Sequence, residues 1–142
     1  MLFGRVGVLL LTIALAAWYE ARRAIPRGED PMEFAHENAG DVVIARLAGR
    51  LDSSSAPTAE EQLTRMIGSG APRLAIDLSK LDYISSAGLR VLLLVARKVQ
   101  QAHGKLALFG LAPSVREVFS ISGFDAILTV RDDADSAIAA VR

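Results

Sequence analysis

The sequence predicts an α/β domain with a mostly parallel central sheet of about five strands and about four helices, preceded by a hydrophobic N-terminal segment. From Glu33 onward the apolar patterning alternates between strand and helix periods. Two short apolar runs, Arg73 to Leu78 (RLAIDL) and Lys105 to Gly110 (KLALFG), are bounded by turn signals, as buried parallel strands should be. Short connections join these elements, which calls for right-handed crossovers between neighbouring strands.

The elements follow in order. Phe34 lies in a short first strand, turned by Asn38-Ala39-Gly40 into a second, Asp41 to Ala48, whose pattern suggests cover mainly on one side. Ser54 or Ser55 caps a helix with Pro57 in its first turn and Glu60 and Glu61 near its positive end. Leu63, Met66 and Ile67 give that helix an apolar stripe, and Gly68-Ser69-Gly70 stops it. After the strand Arg73 to Leu78 and a loop comes the strongest helix, about Ser86 to His103. Leu89, Leu92, Leu93, Ala96 and Val99 occupy its core spacing, and Gly104 ends it. Pro113 opens a further helix carrying Val115, Val118 and Phe119, closed by Gly123. Ala126 to Val130 is read as the last strand, and Asp133 or Asp135 caps a final helix with Ala137, Ile138 and Val141.

A chain of 142 residues has room for one such core. Sixteen basic and sixteen acidic residues cancel without a long run of either sign, so nucleic acid is not an expected partner. The absence of cysteine excludes disulfides and thiolate metal sites and fits the cytoplasm.

Residues 1–31 form a separate unit in this reading, and 32–142 the domain. Val6 to Tyr19 is apolar, preceded by Arg5 and followed by Arg22, Arg23 and Arg27. Three readings stay open. A membrane anchor would use Trp18 and Tyr19 at the interface and keep the domain on the cytoplasmic face. A cleaved signal peptide would export it. An over-extended gene start would begin translation at Met32, after the polar stretch IPRGEDP. Membrane contact is expected only if residues 1–31 are translated and retained.

Loops leaving the C-terminal ends of parallel strands share one rim, where open α/β sheets place their sites. Three segments meet that test: Arg50 to Ser55, Asp82 to Gly88, and Leu111 to Ser114. The most informative is Asp77 to Leu94 (DLSKLDYISSAGLRVLLL), in which a strand passes through a loop into two serines and an Ala-Gly pair. Ser86 is expected at or next to the helix N-cap, where its hydroxyl can cap free N–H groups. Backbone donors and the helix dipole there would also receive a phosphate. A phosphoserine adds roughly −1.5 to −2 charge at neutral pH, enough to disrupt a flat interface. By residue type alone, Ser86 reads first as an ordinary helix cap. Val91 to Val95 is apolar on consecutive positions, which means extra core contact or a partner groove.

Three segments in order, LAGRLDSSSA, DLSKLDYISSAGLRVLL and GLAPSVREVFSISGFD, resemble the STAS family of sulphate-transporter and anti-sigma-factor-antagonist domains. The resemblance runs from about Met32 to Arg142 and implies a STAS-like fold. It also implies a bacterial partner-switching module in signal transduction and transcription regulation. In that scheme the unphosphorylated domain binds an anti-sigma factor that is also a serine kinase of the ATP-binding, histidine-kinase-like class. Phosphorylation ends the binding, and a serine phosphatase restores it. The matching phosphoacceptor is Ser86. Where several antagonists carry Asp-Ser-Ser or Asp-Ser-Thr, this chain reads Ser85-Ser86-Ala87, which makes Ser85 the second candidate. The partner surface implied comprises Asp52, Ser53, Ser54, Ser85, Ala87, Gly88 and Leu89; Asp52 reads equally well as a turn carboxylate. A second function from the same family is a non-catalytic subunit of a membrane lipid transporter of the ABC type.

An enzyme is the weaker expectation. The two histidines, His36 and His103, belong away from the Ser86 rim, and no Gly-x-Ser-x-Gly elbow is present to activate a serine. Gly68-Ser69-Gly70 lacks the glycine spacing and lysine of a phosphate loop. Asp132, Asp133 and Asp135 cluster at a helix start, where capping explains them better than a metal. Neither a cofactor nor a metal is expected.

Overall fold

The computed structural model describes residues 32–68 and 72–142. The expectations for residues 1–31, and the helix stop at Ser69-Gly70, lie outside the described residues.

Strand β1 (Met32–Ala39) turns through Gly40 and Asp41 into β2 (Val42–Leu51), and the two pair antiparallel with Phe34 opposite Leu47. Helix α1 (Ala56–Ile67) leads to β3 (Arg73–Ile84), and α2 (Ser86–Gln101) to β4 (Lys105–Phe109). Helix α3 (Pro113–Ser122) is followed by a single 3₁₀ turn, Phe124–Ala126, the two-residue strand β5 (Val130–Arg131) and helix α4 (Ala134–Val141). The sheet order is β1-β2-β3-β4-β5, with β2 to β5 parallel.

That order decides where the helices lie. Each crossover steps to the next strand in the same direction, so right-handed connections put α1, α2 and α3 on one face of the sheet. The main core accordingly joins Leu47, Leu51, Leu74, Ile76, Leu78 and Leu108 of the sheet to Leu63, Leu92, Val95 and Phe119 of those helices. Helix α4 covers the opposite face through Ala137 and Val141, against Val42, Ile44, Ala75, Ala107 and Phe109. Strand β2 is therefore buried on both faces in its first half, where the sequence suggested cover mainly on one side.

Several boundaries differ from expectation: Asn38 and Ala39 pair within β1 instead of turning, and β2 runs past Ala48 to Leu51. Strand β3 runs on to Ile84, beyond Leu78, because its second half pairs with β2 alone across two register shifts and leaves Ser79, Lys80, Asp82 and Tyr83 exposed. Polar residues on an open sheet face read as a loop. Ala126 to Val130 is mostly the 3₁₀ turn and its exit, and only Val130 and Arg131 pair with β4. Helix α2 ends at Gln101, and His103 takes the left-handed conformation there with φ 59°. Gly104 has a different role, since a Cβ on it would lie 2.2 Å from the Pro72 carbonyl oxygen.

Candidate functional site

Strands β2 and β3 end in register, with Leu51 opposite Ile84. Both chains leave the sheet from this pair, one into the Asp52–Ser55 turn and the other into α2. The backbone holds the two exits together: the Ser85 N–H donates to the Leu51 carbonyl at 2.9 Å. Gly88, in the first turn of α2, presses on the same carbonyl, and a Cβ there would sit 2.7 Å from it and 2.8 Å from the side chains of Ile84 and Leu51. Only glycine permits this approach.

The Asp52 turn is organised by its own carboxylate. Asp52 Oδ1 accepts from the Ser54 hydroxyl at 2.7 Å, the Ser54 N–H at 3.0 Å and the Ser55 N–H at 3.2 Å. The Ser54 hydroxyl is the largest cause holding the Asp52 carboxyl below its ordinary value; burial opposes this, and the Ser55 and Ser54 amides and the Ser55 hydroxyl reinforce it. Ser55, 3% exposed, precedes α1 without capping it by its side chain. Its hydroxyl instead donates to the Arg50 carbonyl at 2.8 Å and accepts the Asp52 N–H at 3.0 Å. On the outer side of the turn, the Arg50 guanidinium stacks 4.3 Å above the Tyr83 ring and lies 3.9 Å from Asp52 Oδ2.

At the second exit the N-cap of α2 is Ser85. Its backbone is extended, with φ −95° and ψ 173°, and its Oγ accepts the Gly88 N–H at 3.3 Å. Ser86 is the first helical residue and is exposed. Capping, a role the sequence offered to Ser86, is performed by its neighbour, because β3 persists to Ile84 and leaves Ser85 as the one residue between strand and helix. Two adjacent helix-start serines thus divide two roles, one structural and one outward-facing.

Residues 33–137 match the STAS domain family. The chain belongs to that family. A Bordetella bronchiseptica protein named as an anti-sigma factor antagonist, BtrV, is 43% identical over 111 residues, spanning 78% of this chain and 96% of its own. The crystal structure of an anti-sigma factor antagonist from Mycobacterium paratuberculosis aligns with a TM-score of 0.71 at 25% identity, over 78% of this chain and 94% of that one. The Bacillus cell fate determinant SpoIIAA in its phosphorylated form aligns at 0.59 and 25% identity, over 78% of this chain and all of its own. The relatives' names favour the antagonist reading of this STAS domain over the transporter-subunit reading.

Of the residues singled out from the sequence, Ser53, Ser54 and Ser86 are exposed, and Asp52, Ser85 and Ala87 are half-buried around them. Gly88 and Leu89 are buried; Gly88 seats the helix on β2, and Leu89 packs in the main core at 6% exposure. Arg50 and Tyr83, which complete the rim, fall within two of the expected rim segments but were not singled out as partner-surface residues, since their stacking depends on the register that sets them opposite each other. Val91 and Val95 are core residues, whereas Leu93 and Leu94 are only half-buried. Asp133 caps α4 by accepting the Ser136 N–H at 2.8 Å, and Asp132 pairs with Arg116 at 3.0 Å. Among the described residues no cluster of histidine and carboxylate groups could hold a metal ion, and no helix is long and apolar enough to cross a membrane.

Proposed function

We propose that this STAS domain is an anti-sigma factor antagonist that works by partner switching, with Ser86 as the switch. Unphosphorylated, it binds an anti-sigma factor that is also an ATP-dependent serine kinase and thereby frees the sigma factor. The kinase ends the association: the Ser86 oxygen forms a bond to the γ-phosphorus of ATP, the bridging bond to the β-phosphate breaks, ADP leaves, and the hydroxyl proton passes to a base on the kinase. A serine phosphatase reverses the change with water, releasing inorganic phosphate. The domain supplies the acceptor hydroxyl and the docking rim and no catalytic group. Because the donor is ATP, the switch operates in the cytoplasm.

The observation that carries this reading is the division of roles between the two serines. Ser85 holds the helix cap, so a phosphate on exposed Ser86 breaks no structural hydrogen bond. Modifying half-buried Ser85 would sacrifice the cap, which makes Ser86 the better acceptor. The core beneath stays intact while roughly two negative charges arise on the rim beside Asp52. The names of BtrV and of the phosphorylated SpoIIAA structure point the same way.

The test is incubation of the full chain with ATP and an anti-sigma factor kinase of the ATP-binding, histidine-kinase-like class from the same organism, followed by peptide mass mapping. Phosphate on Ser86 is the expected result; a chain that stays unmodified at both Ser86 and Ser85 would overturn the reading.

A further inference from the structure

We propose that Arg90 is a positioning residue for the phosphorylated switch, its guanidinium drawing the phosphoryl group on Ser86 onto the outward face of α2. The inference rests on Ser86 being the phosphoacceptor and concerns what the chain does with the phosphate afterwards.

Ser86 and Arg90 are four residues apart on α2 and both exposed. On a helix this spacing leaves them about 40° apart around the axis and about 6 Å apart along it, within reach of a long guanidinium stem. The order is favourable too, with the anion N-terminal to the cation. Arg90 has no carboxylate within ion-pair distance among the described residues, whereas Arg65, Arg73 and Arg116 each have one and Arg46 has two.

Other groups near the rim steer the phosphate the same way. Arg50 is held by Asp52 and by the Tyr83 ring. Asp52, fixed as a carboxylate by the serines of its turn, repels a phosphate leaning toward β2. Arg97 also faces outward on α2 without an ion pair among the described residues, but it stands eleven residues beyond Ser86, about 16 Å along the axis. Arg90 is the cation one helical turn away, and its planar fork can meet two phosphate oxygens at once.

The test uses the full chain with phosphoserine installed at position 86 during translation, so it does not depend on any kinase. The second ionisation of the phosphate is followed by phosphorus NMR in the unsubstituted chain and in Arg90→Gln, Arg90→Lys and Arg97→Gln. Arg90→Gln should raise that pKa by about half a unit, the size expected of a charge-assisted i,i+4 pair. Arg90→Lys should recover much of the shift, and Arg97→Gln should leave the phosphate as it was. An unchanged pKa in Arg90→Gln, or an equal rise in Arg97→Gln, would overturn the proposal. Failure of Ser86 as a kinase target would show separately, in the peptide mapping.

Discussion

The Ser85 N–H donates to the Leu51 carbonyl at 2.9 Å, so the start of α2 and the end of β2 are one rigid corner of the molecule. The corner sets Ser86 beside the Asp52 turn without any contact between their side chains having to form. A charge added to Ser86 therefore changes the rim's electrostatics while the scaffold beneath it has no reason to move.

The division between the two serines is testable by stability. Ser85→Ala removes the N-cap and should cost about 1 kcal/mol in urea denaturation, while Ser86→Ala should be within roughly half of that of the parent. Ser85→Asp should keep the cap and be at least as stable as the parent, because a carboxylate at a helix N-terminus also meets the dipole. Equal losses in the two alanine variants would reverse the assignment.

Gly88→Ala should be more damaging than an ordinary glycine replacement within a helix. Its Cβ would lie 2.7 Å from the Leu51 carbonyl oxygen, and backbone cannot step aside as a flexible side chain can. Overpacking of this kind costs about 1–3 kcal/mol, against a gain of up to about 1 kcal/mol that alanine otherwise brings to a helix. Thermal unfolding should show a clear net loss; a variant as stable as the parent would mean that helix and strand do not meet so closely.

Acid should loosen the Asp52 turn. The folded-state pKa of Asp52 lies below its ordinary value of 3.8, so its contribution to stability is present above that value and is lost as the pH falls through the lowered one. Asp133, held down first by the Ser136 hydroxyl, acts with the same sign at the far end of the chain. Asp52→Asn should thus flatten part of the acid limb of a stability–pH curve measured by urea unfolding, and leave a remainder to Asp133. An acid limb identical to that of the parent would remove Asp52 from the account.

Much of this architecture was legible in the sequence because local signals and tertiary roles agree. In α2, Leu89, Leu92 and Val99 are core residues as the spacing predicts, with Ala96 packed at the edge and Leu93 left out of the core, and RLAIDL and KLALFG are buried strands where expected. The rim was legible too, since parallel strands send their loops to one edge. What escaped depends on contacts between distant segments. Ser79, Lys80, Asp82 and Tyr83 resemble a loop because one sheet face is open at that point, and β2 pairing alone keeps them in a strand. The cap assignment between Ser85 and Ser86 turned on where that strand ends. Arg50 over Tyr83 required the strand register, and α4 on the second face required knowing which helices the crossovers had already placed on the first.

The account is tested most directly by calorimetric titration of the serine-kinase anti-sigma factor with the parent chain, Ser86→Ala and Ser86→Asp. Ser86→Ala should bind as the parent does, and Ser86→Asp, equally folded, should bind at least about tenfold more weakly, a difference of roughly 1.4 kcal/mol. Indistinguishable affinities for the alanine and aspartate variants would contradict it.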